Sequence, residues 1–120
     1  MIEEREPIFP DNKDILSAAS YYNHGYLLVA KFERLPSRVR SHLKYITVYL
    51  AETTKGIAVL GFYRDSGDLF IEVKSKADDF FYDEIEARLE VSYVQCVHEE
   101  ILQELTLWYK TFIMGVKEWD

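Results

Sequence analysis

The sequence predicts an α+β fold, an antiparallel sheet of about five strands with an N-terminal helix and a long C-terminal helix. Three observations carry this expectation. Runs at 45–51, 57–64, 69–75 and 85–93 are apolar or alternate with the period of two that a strand requires. Asp65, Ser66, Gly67 and Asp68 separate two of these runs, and Gly67 can take the positive φ of a short hairpin loop with its bulge. From His98 onward, Ile101, Leu102, Leu105, Trp108, Tyr109 and Phe112 recur at helical spacing until Gly115.

Taken in order, Asp11 or Asn12 can cap a first helix through Ile15, Leu16, Ala18, Ala19 and Tyr22, with Gly25 at its C-cap. Residues 26–32 (YLLVAKF) are rich in large apolar side chains and read as a first strand that ends near Pro36. Residues 37–43 are a short helical turn or an irregular connection. In 45–51, Ile46, Val48 and Leu50 fall on one strand face and Tyr45, Thr47 and Tyr49 on the other. Gly56 supports a turn, and 57–64 and 69–75 form the two arms of the hairpin. In 85–93, Ile85, Ala87, Leu89, Val91 and Tyr93 alternate with Glu86, Arg88, Glu90 and Ser92, so the reading is a strand with a charged outer face. In the last helix Glu99 and Glu100 lie in the first turn and Lys110 near the end, the signs the helix dipole favours.

At 120 residues the chain is expected to be a single α+β domain over 11–120 behind an acidic N-terminal arm at 1–10. Its 48% hydrophobic content excludes general disorder, and a chain of this length can bury a core without metals or disulfides. The net charge of -7 argues against binding nucleic acid through phosphates and against adhesion to anionic lipid, so neither nucleic acid nor membrane is expected as a partner. Cys96 is the one cysteine and cannot form an intramolecular bridge, which suits a reducing, cytoplasmic setting. The start MIEEREPIFP lacks the basic and apolar stretches of a secretory signal, and no apolar run reaches the roughly 18 residues that span a bilayer.

No motif announces catalysis. Cys96 and His98 are one residue apart, but two ligands are too few for a structural zinc, and HEEIL lacks the second histidine of a zinc-protease helix. Cys96 could meet His24 or His42 as a nucleophile and base only if the fold brings them together, which spacing does not reveal. The five glycines never cluster, so neither a P-loop nor a dinucleotide fingerprint is present. No cofactor, metal or catalytic residue is expected. Glu84, Glu86 and Glu90 recur at even spacing beside Asp83, and a solvated face accounts for them better than an acid and base pair, which needs an apolar pocket to shift its pKa.

Charge is unevenly distributed. From Asp78 to Glu104 there are nine acids and one base, Arg88, a local balance of -8; from Lys31 to Lys55 there are six bases and two acids, a balance of +4. The basic stretch RLPSRVRSHLK lacks interleaved aromatics and reads as a solvated or salt-bridged connection, or as a surface that pairs with the acidic segment of a second copy in a homodimer. Within the acidic part, DDFFYDE sets Phe80, Phe81 and Tyr82 among four carboxylates. Asp78 or Asp79 could cap a short helix with the phenylalanines in the core. Alternatively, the segment is a recognition loop whose rings anchor a basic partner while the acids speed its approach. The candidate partner-binding residues are Asp78, Asp79, Phe80, Tyr82, Asp83, Glu84, Glu86 and Glu90.

In general character, a small, acidic, aromatic-rich chain with no active site of its own resembles bacterial toxin-immunity proteins, including those of contact-dependent growth inhibition. That resemblance implies a protein-binding inhibitor whose DDFFYDE segment and Glu86 and Glu90 face neutralise a basic, nuclease-type toxin domain. The alternative is a small-ligand binder or acid/base enzyme similar to the cone-shaped ketosteroid isomerase type, with Asp83 or Glu86 and Tyr45 or Tyr49 inside an apolar cone.

Overall fold

The computed structural model describes residues 12–115; the arm expected at 1–10 and the candidate cap Asp11 lie outside them. Strand β1 (Lys13–Ser20) turns through Tyr21 to His24 into β2 (Gly25–Leu28). A 3-10 turn at Ala30–Phe32 then leads to helix α1 (Ser37–Thr54). Strands β3 (Ile57–Tyr63) and β4 (Leu69–Lys74) follow, and helices α2 (Glu84–Val97) and α3 (Glu99–Phe112) complete the order. The sheet has four strands in the order β2-β1-β3-β4, with every neighbouring pair antiparallel.

The α+β class and the antiparallel sheet follow the sequence reading, as do the hairpin of β3 and β4 and the amphipathic last helix. Gly67 has a φ of 79°, and a Cβ there would lie 2.6 Å from Met114 Sδ, so both backbone conformation and packing call for glycine. In α3, Ile101, Leu102, Leu105 and Tyr109 turn inward at three- and four-residue spacing.

Three segments depart from expectation. The expected N-terminal helix is β1 and its turn into β2. Ile15, Leu16, Ala18 and Ala19 mimic helical spacing because β1 is a central strand with apolar side chains on both faces, which erases the polar alternation of a half-exposed strand. A bulge between Ile15 and Ser17 adds Leu16 to the helix-covered side. Gly25 therefore begins a strand instead of ending a helix, and β2 stops at Leu28, so Phe32 reaches the core from the 3-10 turn.

The second departure is α1, one 18-residue helix where a connection at 37–43 and a strand at 45–51 were expected. Its buried residues are Val39, Leu43, Ile46, Thr47, Leu50, Ala51 and Thr54, a three-and-four pattern of which Ile46 and Leu50 are only a part. The third is α2, a helix where 85–93 was expected to be a strand. The sheet accordingly has four strands rather than about five, and the N-terminal element is β1.

One core unites sheet and helices. Leu16, Phe32, Leu43, Leu60, Phe62, Val94, Leu105 and Tyr109 belong to the same buried cluster, drawn from β1, the 3-10 turn, α1, β3 and all three helices' inner faces. Tyr109 stacks on Phe62 with ring centroids 4.1 Å apart, and each such side chain contributes roughly 1.5–3 kcal/mol by leaving water. The other sheet face carries a small cluster of Ile15, Val59 and Phe70.

The buried polar side chains Asp14, Ser17, Thr47 and Thr54 are paired, whereas the buried hydroxyls of Tyr26 and Tyr82 have no partner among the described residues. Ser17 Oγ and Thr47 Oγ1 lie 3.0 Å apart, and Thr47 Oγ1 also donates to the Leu43 carbonyl. Asp14 is buried and its carboxylate accepts from Tyr109 Oη at 2.9 Å and Lys31 Nζ at 2.7 Å. Burial and the Asp14 carboxylate push the Tyr109 phenol up to about 12. No described helix is long and apolar enough to cross a membrane.

Candidate protein-interaction face

The segment between β4 and α2 is held by its second aspartate. Asp79 accepts a short hydrogen bond from the Tyr22 hydroxyl on the β1 to β2 turn, and its other oxygen accepts the Phe81 N–H at 3.0 Å. Tyr22 Oη in turn accepts the Lys76 N–H at 3.2 Å. These bonds to the ionised form, the Tyr22 hydroxyl first, hold the Asp79 carboxyl below its ordinary range, and the same bond pushes the Tyr22 phenol up. Tyr82 is half-buried against Gly56, where a Cβ would lie 2.8 Å from the Tyr82 ring. Burial, then the Glu84 charge, pushes its phenol up.

With Asp79 and Tyr82 turned inward, the two phenylalanines are left outside. Phe80 is 91% and Phe81 97% exposed, so neither contributes to the core. Asp83 then starts α2, its Oδ1 accepting the N–H groups of Ile85 and Glu86 at 3.1 Å each. Because Asp83 sets the helix phase, Ala87 and Val94 face the core while Ile85, Leu89, Tyr93 and Val97, four residues apart, form an exposed row along the helix. Exposed large apolar side chains repeated in one row are unlike the scattered ones of an ordinary surface.

The row is bordered by acids and by tyrosines of α1. Asp78, Asp83, Glu84 and Glu86 are exposed. Glu90 is half-buried and accepts the Tyr49 hydroxyl at 2.9 Å, which raises the Tyr49 pKa. Tyr49 lies 6.2 Å from the Tyr93 ring and 6.1 Å from that of Tyr45, extending the apolar surface from α2 onto α1. Beside them, Ser41, Lys44, Tyr45, Val48, Tyr49, Glu52 and Thr53 line a shallow groove of about 480 Å³. Where α2 meets α3, His98 Nδ1 lies 3.0 Å from His42 Nε2, and burial followed by the His42 charge lowers the His98 pKa.

Of the eight candidate residues from the sequence, Asp78, Phe80, Asp83, Glu84 and Glu86 share the exposed loop and start of α2. Asp79 and Tyr82 anchor that loop, and Glu90 ties α2 to α1. The sequence reading included Phe81 in its recognition loop but not among the eight candidate residues, and it missed Ile85, Leu89, Tyr93 and Val97 as a surface. Two signals would have found them. Asp83 followed by Glu86 is a capping-box pattern at a helix start, and the row's four-residue spacing extends through Val97.

The chemistry the sequence weighed is arranged otherwise. Cys96 is exposed on α2, while His24 pairs with Glu52 and His42 with His98. Among the described residues, no group of three His, Cys, Asp or Glu side chains could hold a metal ion. Asp83 and Glu86 stand exposed at the start of α2, and Tyr45 is an exposed residue of α1, so these groups do not line the interior of an apolar cone.

Residues 13–117 match a family described as a family of unknown function, DUF6145, and the chain belongs to that family. No curated protein and no solved structure matches the chain.

Proposed function

We propose that this DUF6145 chain is a protein-binding inhibitor that engages a basic partner through the acid-bordered apolar face of α2 and the loop before it. The observation that carries the reading is the exposed row of Phe80, Phe81, Ile85, Leu89, Tyr93 and Val97. Burying such side chains in a complex supplies the affinity, and aromatic anchors dominate interfaces of this kind. Asp78, Glu84 and Glu86 around the row favour a cationic partner and steer its approach, mainly through the association rate. The resemblance to immunity proteins makes a toxin domain of the nuclease type the partner of choice, in a toxin–antitoxin or contact-dependent growth inhibition setting within the cytoplasm.

The test is binding of the purified chain to the product of the neighbouring open reading frame, followed by stopped flow and calorimetry across a salt series. Phe81→Ser and Leu89→Ser are expected to weaken binding by at least tenfold at unchanged melting temperature. Asp78→Lys combined with Glu86→Lys should slow association and flatten its salt dependence. Equal affinity of the serine variants and the unaltered chain would reject this face.

A further inference from the structure

Strand β4 ends the sheet, and its free edge carries a self-complementary pattern. The Tyr63 N–H donates to the Asp68 carbonyl at 2.9 Å, which fixes the alternation of the ladder below it. With the register Gly61 to Phe70 and Val59 to Glu72, residues 70, 72 and 74 bond to β3, and the backbone groups of Leu69, Ile71 and Val73 point away from it. Among the described residues no strand pairs with that side of β4. The side chains of Leu69, Ile71 and Val73 pack toward the helices, whereas Glu72, which bonds Lys13, and the exposed Lys74 belong to the opposite face.

We infer that the β4 edge pairs antiparallel with β4 of a second copy about Val73, joining two sheets of four strands into one of eight. At this register the two Val73 residues exchange both N–H to carbonyl bonds, and Ile71 falls opposite Ser75 of the other copy. Glu72 of each copy stands directly across from Lys74 of the other. Two opposite-charge pairs therefore form from one two-fold contact, the self-complementarity that an isologous interface requires. A lysine on an edge strand ordinarily discourages pairing, but here the glutamate two residues before it, on the same face, turns the charge into a register mark. On the helix side, a groove of about 380 Å³ runs between the edge and α2, lined by the apolar Ile71, Val73, Ala87 and Val91 and by the charged Glu84 and Arg88, and it lies beside the place that Val73 of the second copy would take. The outer row of Ile85, Leu89, Tyr93 and Val97 does not line this groove, whereas Glu84, one of the acids beside that row, does.

Sedimentation equilibrium of the full chain tests this. The unaltered chain is expected to be a dimer. Lys74→Glu sets Glu72 against a new glutamate in both pairs, and Glu72→Lys sets lysine against lysine; each should raise the dimer dissociation constant by about tenfold or more. An equimolar mixture of the two variants restores both pairs and should form a heterodimer at least as tight as the unaltered dimer. Val73→Pro removes a donor that β3 does not use and should give a monomer; should that variant fail to fold, the charge variants decide alone. A monomer at millimolar concentration, a dimer indifferent to both charge reversals, or a mixture that stays monomeric would overturn the proposal. A dimer broken by Leu89→Ser alone would also overturn it, by placing self-association on α2.

Discussion

Asp14 and Asp78 carry the same functional group and do opposite work. Asp14 is 4% exposed, and its carboxylate gathers the Tyr109 hydroxyl and the Lys31 ammonium beneath the aromatic stack of Phe32, Phe62 and Tyr109. Asp78 stands in water beside the exposed rings of Phe80 and Phe81. Burial makes the first carboxylate a structural tie, because leaving its partners unsatisfied in a low-dielectric interior is costly. Exposure leaves the second available to a partner, because water already satisfies it. Position, not residue type, separates scaffold from surface in this acidic chain.

The largest expected difference comes from removing each carboxylate. Asp14→Ala strips the buried Tyr109 hydroxyl and Lys31 of their acceptor and should cost about 2–3 kcal/mol, whereas Asp78→Ala should stay within about 0.5 kcal/mol. Urea unfolding at neutral pH measures both, and equal effects would erase the contrast.

A smaller effect comes from the other partner. Tyr109→Phe keeps the stacking on Phe62 but loses the hydroxyl, for about 1 kcal/mol at neutral pH. It should also change the alkaline limb of stability. The phenol ionises near its ordinary 10.0 when unfolded but at about 12 when folded, so the folded state holds more protons between those values. Burial, and after it the Asp14 carboxylate, favours the protonated phenol in the folded state, so the stability tied to it is complete below pH 10 and is lost as pH rises toward 12. The variant should therefore fall less steeply across that window in pH-dependent melting, and an unchanged slope would show that folding does not raise the Tyr109 pKa.

The smallest effect on stability belongs to the surface. Phe81→Ser should change the unfolding free energy by less than about 0.5 kcal/mol in either direction, since the ring is 97% exposed and packs on no core. A loss above 1 kcal/mol by thermal melting would assign Phe81 to the scaffold.

Local chemistry made some of this legible without a structure. Gly67 in a turn between apolar runs announced the hairpin of β3 and β4, and the inward row of α3 ran long enough to exclude any other period. The acidic excess around DDFFYDE was equally plain. The α2 segment was harder, because residues 85–93 satisfy a period of two and, through Ile85, Leu89 and Tyr93, a period of four. Choosing the strand placed Ile85, Leu89 and Tyr93 with Ala87 and Val91 on one inner face. The helix sends Ala87 inward and the three larger residues out, which turns core candidates into the exposed row.

The sequence by itself determined an α+β chain with an antiparallel hairpin, a C-terminal amphipathic helix and an acid-rich segment carrying unburied aromatics as one of two readings. Each of those rests on contacts or charges close along the chain. Only the tertiary structure decided that 13–20 is a central strand, that 37–54 is one helix, and that Asp14 meets Tyr109 from 95 residues away. A strand with apolar side chains on both faces has no polar alternation to display, and a buried carboxylate looks in sequence like any other aspartate. Their identities come from what folds over them.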